Sequence, residues 1–229
     1  MCGRFALNAD GAQLQTLFDL KTVPMLSPRF NIAPTQPVAV ISNEQPDELT
    51  YYQWGLIPSW AKDPSAGSKL INARSETLAE KPSFRNAYKR RRCLIPANGF
   101  YEWSLRPEDK KQPQFIHLTD QDVFAFAGLW ETWQSPTGEL LKTCTIITTE
   151  ANSMLHPYHH RQPVILARED YRLWLTQEEV NPAELAPLLT AYPAENMALY
   201  PVSKDVNRIV NDHPALIERY QPPQQPTLF

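Results

Sequence analysis

Glycine, cysteine and long apolar runs are all scarce in this chain of 229 residues, and each shortage excludes a class of protein. With 7 glycines against 22 prolines, we expect many rigid turns and few long uninterrupted helices. The three cysteines (Cys2, Cys93 and Cys144) are too few and too widely spaced for a disulfide framework or a CxxC metal pair. No apolar run approaches the roughly 20 residues that span a membrane, and the first residues lack the apolar core of a signal peptide. These absences predict a protein of the reducing cytoplasm that does not enter the membrane.

The net charge of the whole chain is small, but the charged residues are unevenly distributed along the sequence. The net charge of −3 argues against a generally basic protein that coats nucleic acid. Between Lys69 and Arg92, however, eight basic and two acidic residues give a local charge of +6. Because phosphates respond to the nearby field, this segment is a candidate for a basic groove. The basic run at residues 89–92 is by itself more typical of a solvated helix end.

The hydrophobic pattern predicts one α+β domain with a curved, barrel-like, largely antiparallel sheet flanked by helices. The hydrophobic fraction of 42% is enough for a substantial core, and the strands lack the regular alternation with helices of a doubly wound fold. Asp10 is placed to cap a helix that runs to about Leu20, and residues 29–34 are interpreted as part of a proline-rich loop. Further helices are predicted at residues 75–89 (broken at Pro82), 169–175 and 182–191. Strands are predicted at residues 38–42, 49–54, 92–95, 99–105, 114–118, 123–131, 141–149 and 199–202.

Cys2 offers the most specific chemistry in the chain. The initiator Met1 is normally removed before a small residue, and its removal leaves Cys2 with an α-amine beside its thiol. An α-amine has a pKa of about 7.7–8.0, so a useful fraction of it is neutral near neutral pH. The neutral amine can attack an aldehyde to form a Schiff base, and the thiol can then close on the same carbon to form a thiazolidine. By position alone, an incidental cysteine near the terminus is the more common case.

Each of the other candidate residues has a functional interpretation and a purely structural one. His156, His159 and His160 cluster in one short segment. A histidine that titrates near neutrality beside Arg161 suits general acid–base chemistry, and a polar surface loop suits the same residues equally well. Glu102 lies in an aromatic strand, where burial would raise its pKa and let it donate a proton, whereas strand alternation favours an outward side chain. The tryptophans can stack on bases or belong to the core.

Eight motifs occur along the chain in the order of one known family. They are MCGRF (residues 1–5), RFNIAP (29–34), WGLIPSW (54–60), INARSET (71–77), KPSFR (81–85), RCLIPA (92–97), GFYEW (99–103) and PVS (201–203). With these motifs the chain resembles the SOS response-associated peptidase (SRAP) family over about residues 1–211. Several motifs in the family's order are far more specific than any one of them.

The resemblance implies a single α+β domain that crosslinks to abasic sites in single-stranded DNA through Cys2, without a metal or organic cofactor. It implies that Asn72 holds the deoxyribose and the amine, that Glu102 assists ring opening and proton transfer, and that His159 acts on the Schiff base. The DNA-binding residues that it implies are Arg4, Pro34, Trp60, Arg74, Arg85, Trp103, Thr148 and Arg161. We expect a monomer that is associated with the nucleoid when it is bound to DNA.

The chain departs from the family pattern at Gln162, where Met is common, and His160 places a second histidine next to His159. Two other functions stay open. In one, the protein is a cysteine peptidase with Cys2 as nucleophile and His159 as base. In its narrowest form, this peptidase cleaves only its own Met1–Cys2 bond. In the other, it is a non-covalent single-stranded DNA-binding module that uses its arginines and tryptophans alone.

The last residues are predicted to be a flexible tail. Residues 221–229 are rich in Pro and Gln, and the domain is expected to occupy residues 1–220. Gln225, Leu228 and Phe229 fit the Gln-x-x-Leu-Phe pattern of peptides that resemble bacterial sliding-clamp ligands. The Gln supplies an amide, and the adjacent apolar pair supplies anchors for a hydrophobic pocket. The pattern predicts a sliding clamp as a second partner, although short motifs also match by chance.

Overall fold

Strands dominate the computed structural model, which describes residues 2–104 and 111–221. The α-helices in these ranges are short: α1 Gly11–Phe18, α2 Arg85–Arg90, α3 Tyr171–Trp174 and α4 Pro182–Leu185. The strands are β1 Phe5–Leu7, β2 Arg29–Ile32, β3 Pro37–Ser42, β4 Gln45–Trp54, β5 Asn72–Arg74, β6 Arg92–Ala97, β7 Gly99–Trp103, β8 Pro113–Leu118, β9 Phe124–Gln134, β10 Leu140–Glu150, β11 Arg161–Pro163, β12 Ile165–Leu166 and β13 Met197–Pro201. The predicted α+β class is confirmed.

Five of these strands close into a barrel. β3 pairs antiparallel with β4 and β6, and β9 pairs antiparallel with β6 and β10. The ring is completed where β10 runs parallel to β4, with Thr143 opposite Gln53. β9 is buried along nearly its whole length, which explains why its sequence is a continuous apolar run rather than an alternating one. The prediction of a curved, largely antiparallel, barrel-like sheet is therefore confirmed.

A second sheet, in the order β13-β8-β7-β1-β2, packs on the barrel. Phe5 of β1 joins the two, because its ring lies 5.2 Å from that of Trp54 and 5.7 Å from that of Phe126 in edge-to-face contacts. The C-terminal segment (residues 202–216) covers the face of the second sheet that is turned away from the barrel. A second apolar cluster, smaller than the main core, is buried there. The buried members of this cluster are Ala6, Phe30, Tyr101, Phe115, Val202, Val206 and Leu216. Burial on both faces fixes the register of β1 and β7, the strands next to the N-terminus.

Local predictions succeed where an element has its own start signal. Asp10 caps α1, since its side chain accepts a hydrogen bond from Gln13 N at 2.8 Å. The predicted loop over residues 29–34 is wrong for residues 29–32, where β2 pairs with β1, and right for residues 33 and 34. The helix predicted at residues 169–175 is present as a 3-10 turn followed by α3, whereas those predicted at residues 75–89 and 182–191 are shortened, as Pro82 and Pro187 explain. Within the described ranges, no helix is long and apolar enough to cross a membrane.

The basic run before β6 is largely used inside the fold. Arg92 is fully buried and donates to the carbonyls of residues 88, 89, 174, 176 and 178. Arg90 and Arg91 form ion pairs at 2.7 Å with Glu179 and Glu131. The interpretations of this run as a basic groove or a solvated helix end are therefore wrong for Arg92. Its guanidinium instead holds the start of β6 to the segment that follows α3.

Candidate active site

β1 and β7 bring Cys2 next to Glu102. The two strands are antiparallel, and Tyr101 N donates to Arg4 O at 3.0 Å, so the pairing continues toward Cys2. Cys2 is fully buried, and Glu102 is close enough for its charge to act on the pKa of the Cys2 thiol. Alternation along β7 turns Tyr101 toward the smaller apolar cluster and Glu102 toward the opposite side. The outward alternative for Glu102 is wrong, because this residue is only 5% exposed.

Asn72 reaches Cys2 from a third strand. β5 pairs in parallel with β10, with Asn72 opposite Ile146. The start of β5 is fixed because the Trp54 indole donates to Ile71 O at 2.8 Å. From this position Asn72 Nδ2 donates to Cys2 O, also at 2.8 Å. Asn72 Oδ1 is buried and has no hydrogen-bond partner among the described residues, so an acceptor remains beside the Cys2 backbone.

Two glycines set the turn that precedes β5. Gly55 has a φ of +126°, a backbone conformation that favours glycine. A Cβ atom on Gly55 would lie 2.5 Å from Gly67 O, and one on Gly67 would lie 2.7 Å from Gly55 O. Residues without side chains thus let the two segments touch. The contact holds the loop that carries Trp60 and leads into Asn72.

Burial governs the ionisation of Cys2 and Glu102. Burial first, and the negative charge of Glu102 second, raise the pKa of the Cys2 thiol far above its ordinary value. Burial also raises the pKa of the Glu102 carboxyl. The thiol is therefore neutral near pH 7, and Glu102 keeps its proton to a higher pH than a surface carboxyl does. This arrangement suits proton donation by Glu102.

His159 lies two residues before β11, which begins at Arg161. β11 and β5 pair with opposite edges of β10 at Thr148. Arg161 N donates to His159 Nδ1 at 3.0 Å, so the neutral ring carries its proton on Nε2. Burial, with nearby positive charge, lowers the pKa of His159 to about 4. The expected titration near neutrality is therefore wrong, and at pH 7 His159 is a neutral Nε2–H donor that stacks on His160 with ring centres 4.4 Å apart.

Arg161 is held in an ion pair. Its Nη1 and Nη2 atoms donate to the Glu76 carboxylate at 2.6 and 2.9 Å, and Nη2 also donates to Thr148 O at 2.5 Å. The Arg161 side chain is 11% exposed and that of Glu76 is 51% exposed. Hydrogen bonding by Arg161 lowers the pKa of Glu76. Thr148 is itself fully buried and its hydroxyl donates to Ala73 O at 3.5 Å, so this residue offers no exposed surface for the expected contact with DNA.

Arg4 and Trp103 form a cluster with the C-terminal segment. Arg4 Nη1 donates to Asn31 Oδ1 and to Val206 O, both at 2.7 Å. The Arg4 guanidinium lies 6.0 Å from the centre of the Trp103 ring, and the indole N–H donates to Asn207 Oδ1 at 2.7 Å. Both predicted DNA-binding residues are thus partly buried and already have partners within the protein.

The remaining predicted DNA-binding residues are more accessible. Trp60 is 65% exposed, which is unusual for a side chain with so much apolar surface. Arg74 and Arg85 are exposed and form no ion pair with another residue of the described ranges. Pro34 is partly buried just after β2. The structure therefore leaves Trp60, Arg74 and Arg85 open to a ligand.

The sequence interpretation assigns no role to three polar residues that organise this region. Asn31 Nδ2 donates to the carbonyls of residues 206, 208 and 211 and so fixes the C-terminal loop. Gln162, the departure from the family pattern, accepts from Asn152 N at 2.8 Å. Glu76 pairs with Arg161. Asn31 and Glu76 lie inside the quoted motifs, but the partners of all three residues appear only in the fold.

Comparison with known proteins gives close relatives. The sequence model of the SOS response associated peptidase (SRAP) family matches residues 1–209. The chain is 44% identical over 224 residues to the abasic site processing protein YoqW of Bacillus subtilis, with 96% of this chain and 100% of the relative covered. It is 39% identical over 186 residues to the abasic site processing protein HMCES of Gallus gallus, with 71% of this chain and 54% of the relative covered.

A solved structure has the same fold. An X-ray structure of a protein from Bacteroides thetaiotaomicron superposes with a TM-score of 0.87 at 28% identity, covering 96% of this chain and 100% of that one. The family match spans nearly the whole chain and covers the residues that carry the eight motifs. The resemblance expected from the motifs is confirmed, and the chain belongs to the SOS response associated peptidase (SRAP) family.

Proposed function

We propose that this protein captures abasic sites in single-stranded DNA covalently, through the α-amine and thiol of Cys2 after Met1 has been removed. The observation that carries the proposal is the grouping of Asn72 and Glu102 around the buried Cys2. The relatives named as abasic site processing proteins support the class of lesion. Met1 lies outside the described residues, and its removal is required on chemical grounds, because an amide nitrogen does not attack an aldehyde.

The first step joins the Cys2 amine to the ring-opened aldehyde of the abasic sugar. The nitrogen attacks the aldehyde carbon, and the loss of one water molecule gives a Schiff base. Asn72 suits this step, because its Nδ2 holds the Cys2 carbonyl while its buried Oδ1 can accept an amine N–H. Holding two reactants in a productive geometry can lower a barrier by ~7–11 kcal/mol.

The second step closes the thiazolidine ring. The Cys2 sulfur adds to the imine carbon and the thiol proton passes to the nitrogen, so neither an oxidant nor a reductant is needed. A thiol held beside a protonated imine can add without prior ionisation. Burial raises the pKa of the Cys2 thiol, which opposes the alternative of a cysteine peptidase, because a peptidase needs a thiolate nucleophile. Autoprocessing at Met1–Cys2 is therefore the less favoured function.

Glu102 and His159 divide the proton transfers. Opening the sugar ring requires a proton on its ring oxygen, and the buried Glu102 carboxyl, with its raised pKa, is suited to donate it. His159 presents Nε2–H as a neutral donor, because its Nδ1 is occupied by Arg161 N. A neutral donor can stabilise an oxyanion or a leaving hydroxyl without placing a second positive charge beside the iminium.

Exposed basic and aromatic side chains support binding of the single strand. Arg74 follows Asn72 on the same strand and is exposed, as is Arg85 at the start of α2. Trp60, at 65% exposure, can stack on a base. We propose that Arg4, Pro34, Trp103 and Arg161 border the same path. A non-covalent binding module would use this path without Cys2 chemistry.

A denaturing gel, with a native binding assay and a peptide-cleavage assay beside it, separates the three functions. Processed protein is incubated with a single-stranded oligonucleotide that contains one abasic site, and the mixture is resolved under denaturing conditions. We expect a heat-stable shifted band that is lost in Cys2→Ala and in a variant whose Met1 is retained. Binding without such a band would favour the non-covalent module. Cleavage of a fluorogenic peptide, lost in the same variants, would favour the peptidase.

We also retain the proposal that the tail binds a bacterial sliding clamp. Gln225, Leu228 and Phe229 lie outside the described residues, so this proposal rests on the sequence pattern. The prolines of the tail would limit the conformational entropy that is lost on binding. Such a tether would bring a monomeric crosslinker to replicating DNA, where abasic sites become single-stranded. The division into a domain of residues 1–220 and a tail of residues 221–229 belongs to the same proposal.

A further inference from the structure

The Arg161–Glu76 ion pair occupies a guanidinium that the proposed function needs for DNA. Arg161 has five N–H donors. Its Nη1 and Nη2 edge faces both Glu76 oxygens, at 2.6 and 2.9 Å, and Nη2 makes a further bond to Thr148 O. Nε is buried and has no partner among the described residues. A phosphate that approaches from solvent therefore meets Glu76 before it meets Arg161, whose side chain is 11% exposed.

We infer that Glu76 is a specificity-determining residue, which competes with DNA phosphates for Arg161 and so weakens the binding of undamaged single strands. The inference rests on the proposed function, in which Arg161 contacts the DNA backbone. The carboxylate matches the bidentate geometry that a phosphate would use on the same guanidinium edge. With 51% of its side chain exposed, Glu76 can turn into solvent once it is displaced.

The competition acts differently on undamaged and abasic strands. A partly exposed ion pair typically changes an equilibrium constant by a factor of about 2 to 5, so an undamaged strand, which binds without the Arg161 contact while Glu76 occupies it, has about that much less affinity than it would have with Arg161 free. A strand already joined to Cys2 holds its neighbouring phosphate near Arg161 at an effective concentration of about millimolar or more. That concentration lets the phosphate displace Glu76. As a result, Arg161 contacts the phosphates only of strands that are already joined to Cys2 at the lesion.

Glu80 provides a matched control for Glu76. It lies four residues further along the chain and is exposed, and within the described ranges it forms no ion pair. Glu76→Gln and Glu80→Gln remove the same charge from the same segment, and only the first removes the competitor of Arg161. Thermal unfolding of both variants checks that the fold is kept.

The experiment measures fluorescence anisotropy of an undamaged single-stranded oligonucleotide at several salt concentrations. We expect Glu76→Gln to lower Kd about 2- to 5-fold and to steepen the log–log salt slope by about 0.7, the value of one added phosphate contact. Glu80→Gln should give a smaller change without the extra slope. In an Arg161→Ala background, Glu76→Gln should behave like Glu80→Gln, because its partner is gone.

The inference is overturned if Glu76→Gln and Glu80→Gln have equal effects. It is equally overturned if Glu76→Gln weakens binding, since Glu76 would then organise Arg161 for DNA, or if the gain in affinity persists in Arg161→Ala. Crosslinking of an abasic strand by the wild-type protein is measured in parallel. A wild-type protein that binds undamaged DNA but fails to crosslink would overturn the proposed capture reaction and leave the comparison of the two glutamate variants valid.

Discussion

The side-chain amide of Asn72 donates to the main-chain carbonyl of Cys2 at 2.8 Å, across a separation of 70 residues. The bond joins β5, on the barrel, to the N-terminal end of β1, in the second sheet. It therefore fixes the backbone of the proposed nucleophile relative to the body of the protein. Cys2 precedes β1, so this contact adds to the strand pairing of β1 in holding Cys2 in place.

Replacing Asn72 by Ala is expected to slow crosslinking about 10- to 100-fold, because small misplacements of reacting groups are costly. Binding of undamaged DNA should change little. The measurement is the single-turnover rate of band formation with an abasic oligonucleotide. Asn86→Ala, an exposed change on α2, is the control and should react like the wild type. An unchanged rate in Asn72→Ala would remove Asn72 from the reaction.

The ionisation of Glu102 should set the alkaline limb of the pH profile of the crosslinking rate. Burial raises the pKa of its carboxyl, and the carboxyl donates only while protonated. The rate of ring opening should therefore be highest below that raised pKa and should fall as the pH rises through it. The Cys2 amine must be neutral, so its reactivity increases toward a pH of about 8 and the overall profile should be bell-shaped.

Glu102→Gln is expected to lose the alkaline limb and to react about 10²- to 10⁴-fold more slowly, the usual contribution of a general acid. Rates are compared across the pH range with the same abasic oligonucleotide. A variant that keeps both the wild-type rate and the wild-type limb would show that another group supplies the proton.

His159 is expected to stay neutral, as the Nε2–H tautomer, through the physiological range. Its Nδ1 accepts from Arg161 N, and its pKa is lowered to about 4. The protonated form should therefore appear only as the pH falls through about 4. Nitrogen-15 NMR of the imidazole reports both tautomer and charge. A titration midpoint between about 6 and 7, near the ordinary histidine value, would contradict this assignment.

Arg92 is expected to be essential for stability. Arg92→Lys would leave several buried carbonyls without a donor and should lower the free energy of unfolding by about 3 kcal/mol or more. Arg90→Lys, which alters a largely exposed pair with Glu179, should cost less than about 1 kcal/mol. Urea unfolding measures both variants. Equal losses would mean that the buried carbonyls find other donors.

The C-terminal tail is expected to bind a sliding clamp. A peptide of residues 220–229 is titrated against purified bacterial clamp, beside the same peptide carrying Leu228→Ala and Phe229→Ala. Binding should depend on both anchors, because they supply the apolar contact. Equal and negligible binding by the two peptides would dismiss the tail as a clamp ligand.

Several predictions from the sequence failed where long-range contacts decided the outcome. Residues 29–34 end in Pro34 and look like a loop, but β1 supplies the partner that makes residues 29–32 the strand β2. Alternation could not tell which face of β7 is inside, and both faces prove to be covered. The ordinary pKa of histidine gave no sign that burial would hold His159 neutral.

The sequence by itself determined the α+β class, most strands of the barrel, the α1 cap at Asp10 and the family, because apolar periodicity, capping residues and motif order are local properties. The tertiary structure alone decided which side chains meet. It brought the Asn72 amide into a hydrogen bond with the Cys2 carbonyl, buried Glu102 and paired Glu76 with Arg161. The reason is physical: burial and hydrogen-bond partners are set by residues tens of positions away, and these in turn set the protonation and accessibility on which the proposed chemistry depends.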